Sequence, residues 1–120
     1  MEIQFEIQTP DIQEVFEQLT GENEKPDLGQ EYHIGNDINL TYISGYDDEF
    51  LDSETLLFIA TNLTGFGINL FASYVYDKLK DNKKNKLLIN GSEVEINQRV
   101  IEDFLIFLKD KEQKTKPNDE

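Results

Sequence analysis

Cysteine is absent from this 120-residue chain, and histidine occurs only once. The lack of cysteine excludes disulfides, thiol nucleophiles and cysteine-based zinc sites, and it fits a reducing compartment. Three prolines and seven glycines, beside 38% hydrophobic and 11% aromatic residues, indicate a folded protein rather than a disordered one.

Basic residues are almost missing from the first half of the chain. Residues 1–54 hold fifteen acidic side chains and one basic side chain, Lys25, whereas residues 55–120 hold ten of each kind. The whole net charge of −14 therefore falls within the first 54 residues. A surface of this charge repels nucleic acids and anionic lipids, and it attracts basic proteins.

The acidic excess predicts a basic protein partner. About 2 to 8 net charges keep a small domain soluble, and the mutual repulsion of a larger number lowers stability. We therefore expect a surface that imitates a polyanion or captures a basic protein, and no binding of nucleic acid. The five lysines between positions 78 and 86 do not alter this, because Asp77 and Asp81 lie among them.

Length and apolar content predict one domain over residues 1–108. The last twelve residues, 109–120, contain no apolar side chain and are expected to form a disordered polar tail. The opening residues, MEIQFEIQ, lack the basic and apolar regions of a secretory signal, so a cytoplasmic protein is expected.

The first half of the chain predicts a strand, a helix and a hairpin. Residues 2–8 alternate between apolar and polar side chains, as a half-buried strand does. A helix is expected to follow, with Thr9 as its N-cap and Pro10 in its first position. Residues 31–34 and 37–43 predict a hairpin across Gly35-Asn36, and residues 45–52 predict an acidic turn.

A second hairpin and a last helix are predicted near the end of the chain. Residues 87–89 and 94–96 flank Asn90-Gly91, the dipeptide that a type I′ turn favours. Asn97 is placed to cap a helix whose apolar side chains follow at helical spacing up to Leu108.

Residues 55–76 contain no charge over 22 positions, which is long enough to cross a bilayer. Their Asn, Thr, Ser and Gly content weakens that interpretation. Asn62 and Asn69 fall on a polar stripe at helical spacing, so we expect a largely buried helix over residues 53–80, capped by Asp52-Ser53. The stripe could also be a polar seam in a homodimer or an ordinary solvated face.

The predicted order is therefore β-α-β-β-α-β-β-α. An antiparallel sheet with helices packed on one face, an α+β fold, is the simplest arrangement of these elements. A ferredoxin-like topology is one option within this class.

No motif in the chain fixes a reaction. His33 is expected to be an outward-facing strand residue, because no catalytic pattern surrounds it. The acidic run of residues 47–54 lacks the EF-hand spacing; helix capping explains part of it, and an improvised calcium site stays an alternative. Gly65-Phe66-Gly67 is not followed by the Lys-Ser/Thr of a phosphate loop. We expect a binding protein rather than an enzyme, with no cofactor and no metal.

The predicted contact residues are acidic and tyrosine side chains of the loops and turns, because aromatics among charges are typical of binding hot spots. They are Glu22, Glu24, Asp27, Glu31, Tyr32, Asp37, Tyr42, Tyr46, Asp47, Asp48 and Glu49.

The segment from Ser53 to Lys80, which ends LFASYVYDKLK, precedes a short charged connector and the hairpin LLINGSEVEI. This succession, following an N-terminal strand and helix, resembles the small effector-associated domains of bacterial conflict systems. The resemblance extends over residues 1–108 in the order of elements. It implies a setting in defence or competition between bacteria, a ferredoxin-like α+β fold and a role in interaction rather than catalysis.

Two functions follow from these observations. The first is an immunity protein or inhibitor that occludes the active site of a basic toxin or nuclease. The second is an adaptor domain of a bacterial defence system, for which the acidity is incidental.

Overall fold

A computed structural model describes residues 1–21, 29–34, 38–48 and 53–115. For residues 34, 44–48, 53–54 and 113–115 it describes the backbone and not the side chains. The elements in chain order are β1 Ile3–Thr9, α1 Ile12–Thr20, β2 Glu31–Ile34, β3 Ile38–Asp48, β4 Ser53–Thr61, α2 Gly65–Leu79, β5 Lys86–Ile89, β6 Ser92–Val94 and α3 Gln98–Thr115. The strands form one antiparallel sheet in the order β2-β3-β4-β1-β5-β6.

The N-terminal strand β1 lies inside the sheet, between β4 and β5. Its alternating sequence points Ile3, Phe5 and Ile7 into the core. Phe5 is paired with Phe58 of β4, and the two rings stack with centroids 5.3 Å apart. Phe71 of α2 meets the Phe5 ring edge-on at 5.2 Å, so one aromatic cluster joins the sheet to the helices.

The three helices pack on one face of the sheet. Buried side chains of α1, α2 and α3 belong to the same core as the inward-facing strand residues. α1 and α3 each contact α2, which places α2 between them. The predicted class, an α+β fold with an antiparallel sheet and helices on one face, is confirmed.

Most local predictions are confirmed. β1 and the β2–β3 hairpin form as expected. Asn90 and Gly91 both adopt positive φ, as a type I′ turn requires, and join β5 to β6. The Asn97 side chain accepts hydrogen bonds from the backbone N–H groups of Arg99 and Val100, which caps α3.

The expected cap of α1 was wrong by two residues. Asp11 is the N-cap, since its carboxylate accepts a hydrogen bond from the Glu14 N–H at 3.1 Å. Thr9 is instead the buried last residue of β1, and its hydroxyl accepts from the Asp11 N–H. Pro10 lies between the two elements and is not in the helix.

The long helix predicted for residues 53–80 was wrong. Residues 53–61 form β4, Asn62 turns the chain with φ of 64°, and Thr64 caps a shorter helix, α2. A strand that is buried on one face and half-buried on the other has the same uncharged sequence as a buried helix. Among the described helices, none has the length and apolar character needed to cross a membrane.

Three further expectations were wrong. Residues 45–48 extend β3 rather than forming a turn, while residues 49–52 lie outside the described part of the chain. α3 continues to Thr115, so residues 109–115 are helical rather than a disordered tail. The strand β4 completes a three-stranded meander before α2, so the element order is not the β-α-β-β-α-β of a ferredoxin-like fold.

Replacing Phe58 with alanine is expected to lower the free energy of unfolding by about 3–5 kcal/mol, because the ring is fully buried against Phe5. Phe66→Ala is the matched control, since that ring is 90% exposed, and it should cost under about 0.5 kcal/mol. Urea unfolding followed by circular dichroism measures both values. Equal losses would contradict the assignment of Phe58 to the core.

Alkaline pH is expected to destabilise the contact between α1 and α2. The Tyr74 hydroxyl of α2 donates a hydrogen bond to the Leu19 carbonyl of α1, and burial raises the pKa of Tyr74 above 10.0. A tyrosine whose pKa is higher in the folded state than in the unfolded state contributes to stability at pH values below the unfolded-state pKa. This contribution is lost as the pH rises through the folded-state pKa.

Tyr74→Phe should therefore cost about 1 kcal/mol at neutral pH, and its stability should fall less than that of the parent above pH 10. Tyr76→Phe is the control, because no hydrogen bond of its hydroxyl is found among the described residues. Chemical unfolding at a series of pH values tests both variants. An unchanged alkaline profile for Tyr74→Phe would argue against the contact.

Candidate partner-binding surface

The charge imbalance along the chain becomes an imbalance across the sheet. α1 packs over β4 and β1. Its Phe16 ring extends towards the β2 edge of the sheet, where it meets Tyr32 at 5.8 Å and Tyr42 at 6.4 Å between centroids. This side of the molecule carries exposed carboxylates from α1 and β2, and we call them the acidic end. They are Asp11, Glu14, Glu17 and Glu31.

The lysines gather at the other side. We call Lys78, Lys80, Lys83, Lys84 and Lys86, which lie at the end of α2 and the start of β5, the lysine end. β2 and β5 are separated by four strand spacings, or about 19 Å. Glu31 on β2 is therefore far from Lys86 of β5, and the lysine end has mixed charge, because Asp77 and Asp81 lie among its lysines.

No ion pair neutralises the acidic end within the described residues. The salt bridges seen among the described residues lie elsewhere and join Asp77 to Lys78 or Lys80, and Asp103 to Arg99. Lys78 is the first lysine or arginine among the described residues, because Lys25 lies outside them. Within the described residues, solvent and salt are therefore the main sources of screening at the acidic end.

The face of the sheet opposite the helices is the second part of the surface. Its centre is a row in which Glu6 of β1 lies between Leu57 of β4 and Leu88 of β5, all half-buried. Glu31 and Glu93 are exposed towards its two edges. Acidic groups around half-buried apolar side chains combine charge steering with apolar contact area.

The predicted tyrosine contacts are corrected by the structure. Tyr32 is 8% exposed and Tyr42 is 4% exposed, and both rings pack against Phe16. Burial also raises the pKa of Tyr42. Both residues occupy inward-facing strand positions, so they stabilise the core and are not available to a partner in this fold.

The other predicted contact residues fall into three groups. Glu31 is exposed on β2, as expected for a contact residue. Tyr46, Asp47 and Asp48 lie at the end of β3, where Asp47 is paired with Glu54 of β4. The remainder lie outside the described residues: Glu22, Glu24, Asp27, Asp37 and Glu49.

His33 is exposed on β2 opposite Asn39, as predicted for an outward-facing strand residue. Within the described ranges, no three His, Cys, Asp or Glu side chains come together in a way that could hold a metal ion. The calcium hypothesis depended on the acidic run of residues 47–54, and residues 49–52 of that run lie outside those ranges.

The sequence interpretation missed the acidic face of α1. It sought contact residues only in loops and turns. Glu14 and Glu17 are exposed on the side opposite the buried Val15, Phe16 and Leu19. The helical spacing of these carboxylates was the signal that could have identified them.

A separate apolar surface was also missed. All the exposed large hydrophobic side chains among the described residues lie on α2 and α3; they are Phe66, Leu70, Val100, Ile106 and Phe107. Phe66 is 90% exposed, and the neighbouring Gly67 is buried against the turn that precedes α2. These side chains contribute little to the core of this chain, and they present an apolar surface to solvent.

A shallow groove of about 320 Å³ lies at the lysine end, with lysine and glutamate side chains on its walls. At this groove the buried Asn85 side-chain amide donates a hydrogen bond to the backbone carbonyl of Leu79. This bond gives a partner to a carbonyl group in the last turn of α2, where carbonyls lack partners within the helix. This contact gives Asn85 a structural role.

Comparisons of this chain with protein-family models, curated proteins and solved structures gave no match.

Salt is expected to stabilise the protein, because it screens repulsion among the unpaired carboxylates. Between about 0.1 M and 1 M sodium chloride, the Debye length falls from about 10 Å to about 3 Å. The free energy of unfolding at neutral pH should rise over this range.

Two triple variants locate the repulsion. E14Q/E17Q/E31Q removes three charges from the acidic end, and D81N/E95Q/D110N removes three exposed charges elsewhere. The first should reduce the salt dependence of the free energy of unfolding more than the second. Equal reductions, or a parent protein that salt does not stabilise, would contradict a concentrated acidic end.

Proposed function

We propose that this protein is a non-enzymatic interaction domain that captures a basic protein through its acidic end. The observation that supports this most directly is the set of exposed carboxylates on α1 and β2 with no ion pair among the described residues. Solubility requires only charges that are distributed over the whole surface, so it does not explain why these carboxylates are concentrated in one place.

The charge arrangement favours fast, oriented encounter with the partner. A basic surface is attracted to the acidic end, whereas the lysine end, where Asp77 and Asp81 lie among the lysines, offers it no comparable attraction. Such steering raises the association rate and makes it strongly dependent on salt. After encounter, Leu57 and Leu88 on the helix-free face offer apolar contact next to Glu6.

The leading form of this function is an immunity protein or inhibitor of a basic toxin or nuclease. An enzyme that binds nucleic acid has a basic active-site cleft, and a carboxylate surface can occupy that cleft in place of phosphates. The domain would act by occlusion, without a cofactor. It is proposed to act in the cytoplasm, where a chain without cysteine loses nothing to reducing conditions.

An adaptor domain of a bacterial defence system is the second candidate. The exposed Phe66 and Phe107 favour it, because an adaptor binds its partner mainly through apolar surface. Binding by an adaptor should therefore be indifferent to salt and to changes in the acidic end.

The test is affinity capture with the tagged full chain in an extract of the source cells, at about 0.1 M and about 1 M salt. The expected result is a basic enzyme that is retained at low salt, released at high salt and inhibited in the complex. E14Q/E17Q/E31Q should raise the dissociation constant about tenfold or more, whereas D81N/E95Q/D110N should leave it nearly unchanged.

Other outcomes would overturn the inhibitor proposal. Retention of a partner that salt does not release, with equal affinity for both triple variants and no loss of activity, would favour the adaptor. Failure to capture any basic protein at low salt would contradict both the acidic end as a binding surface and the inhibitor function.

A further inference from the structure

A side chain joins the turn between β5 and β6 to the central strand β1. The Asn90 N–H donates a hydrogen bond to the Gln4 carbonyl at 2.8 Å, and the Gln4 N–H donates one to the Asn90 side-chain Oδ1 at 2.9 Å. These two bonds extend the ladder of β1 and β5 by one residue pair beyond Phe5 and Ile89. The side-chain carbonyl of Asn90 therefore accepts the bond that a backbone carbonyl accepts in a regular ladder.

The residue that follows Asn90 makes this position chemically reactive. Asparagine before glycine is prone to spontaneous deamidation, because a glycine without Cβ leaves its backbone nitrogen unhindered for attack on the preceding side chain. Asn90-Gly91 is the one Asn-Gly pair in the sequence. Both residues are exposed, so water reaches the turn.

Deamidation needs no enzyme, and water is its only co-reactant. The Gly91 nitrogen attacks the Cγ carbon of Asn90, a C–N bond forms, the nitrogen loses its proton, and the side-chain amino group leaves as ammonia. Water then opens the cyclic imide at either of its two carbonyls. One opening gives aspartate, and the other gives isoaspartate, in which the backbone passes through Cβ and Cγ.

The folded hairpin holds Asn90 in a conformation that prevents this attack. Ring closure requires the Gly91 nitrogen to lie on the same side of the Cα–C bond as Cβ of Asn90. The φ values of 50° and 85° at the two residues are those of a type I′ turn, whose first central residue places the next nitrogen on the opposite side of that bond. Rotation into the reactive geometry would break the turn, and movement of the side-chain amide would leave the Gln4 N–H without its acceptor.

We propose that Asn90-Gly91 is a deamidation site that reacts only when the β5–β6 hairpin opens away from β1. Local openings of this kind occur at a lower free energy than global unfolding. Isoaspartate adds one atom to the backbone of a two-residue turn, so the register of β5 and β6 cannot form again after the reaction. A reversible opening thus becomes a permanent one, and the site limits the lifetime of the folded chain. This proposal does not depend on the proposed function.

The test incubates the full chain at slightly alkaline pH and physiological temperature and follows the mass increase of deamidation by intact mass spectrometry. The rate in the native protein should be lower by about tenfold or more than in the chain unfolded in urea, because the reactive conformation is populated only on opening. Peptide mapping should find aspartate and isoaspartate at position 90. Asn90→Asp keeps an acceptor for the Gln4 N–H and lacks the reactive amide, so it should fold and should lose most of the mass increase of the unfolded chain.

A second variant tests whether opening of the hairpin controls the rate. Val94 is buried in β6 and paired with Leu87 of β5, so Val94→Ala should loosen the hairpin and raise the native rate about fivefold or more. Phe66→Ala is the matched control, since that side chain is 90% exposed on α2, and it should leave the rate unchanged. Circular dichroism checks that both variants are folded.

Three outcomes would overturn the proposal. Equal rates in the native and unfolded chains would show that the fold gives Asn90 no protection. Equal native rates for the parent, Val94→Ala and Phe66→Ala would exclude opening of the hairpin as the controlling step. A mass increase of the unfolded chain that Asn90→Asp leaves unchanged would place the reaction at another asparagine.

Discussion

The pairing of β1 on both of its edges is the constraint on which the remaining structure depends. β1 is the first element of the chain, yet β4 lies along one edge and β5 along the other, so it joins the two parts of the sheet. Phe5 at its centre stacks on Phe58 and meets Phe71, which attaches α2 to the same point. Neither the β2-β3-β4 meander nor the β5-β6 hairpin has another pairing with the rest of the sheet among the described residues.

This topology also determines where the charges lie. The β2–β3 hairpin and α1 come from the acidic half of the chain. The hairpin lies on one side of β1, and α1 packs over β1 and β4 with its Phe16 ring against the hairpin. β5, β6 and the end of α2 come from the neutral half, which supplies the lysines, and they lie on the other side. A difference between two halves of a sequence thus becomes a separation in space. The two helices with balanced charge, α2 and α3, carry the exposed apolar side chains and are available for a different contact.

Predictions that rest on short-range chemistry were the most successful. Asn90-Gly91 and Asn97 specify a turn and a cap through their own backbone and side chains, and the alternation of β1 is visible over seven residues. The boundary at Asn62 could not be predicted, because the chain is largely apolar on both sides of it and carries no charge between Glu54 and Asp77. The burial of Tyr32 and Tyr42 depends on Phe16, which approaches them only in the folded chain. The difference in charge between the two halves can be read from the sequence, whereas which of the acidic side chains share a surface depends on the position of α1.

The most direct test of this account measures the electrostatic potential at each backbone amide, by nuclear magnetic resonance with paramagnetic probes of opposite charge. Division of charge across the sheet predicts strongly negative potentials at Glu14, Glu17 and Glu31, and potentials near zero or positive at Lys83 and Lys84. Equal potentials at the two ends would contradict the spatial separation on which the proposed binding depends.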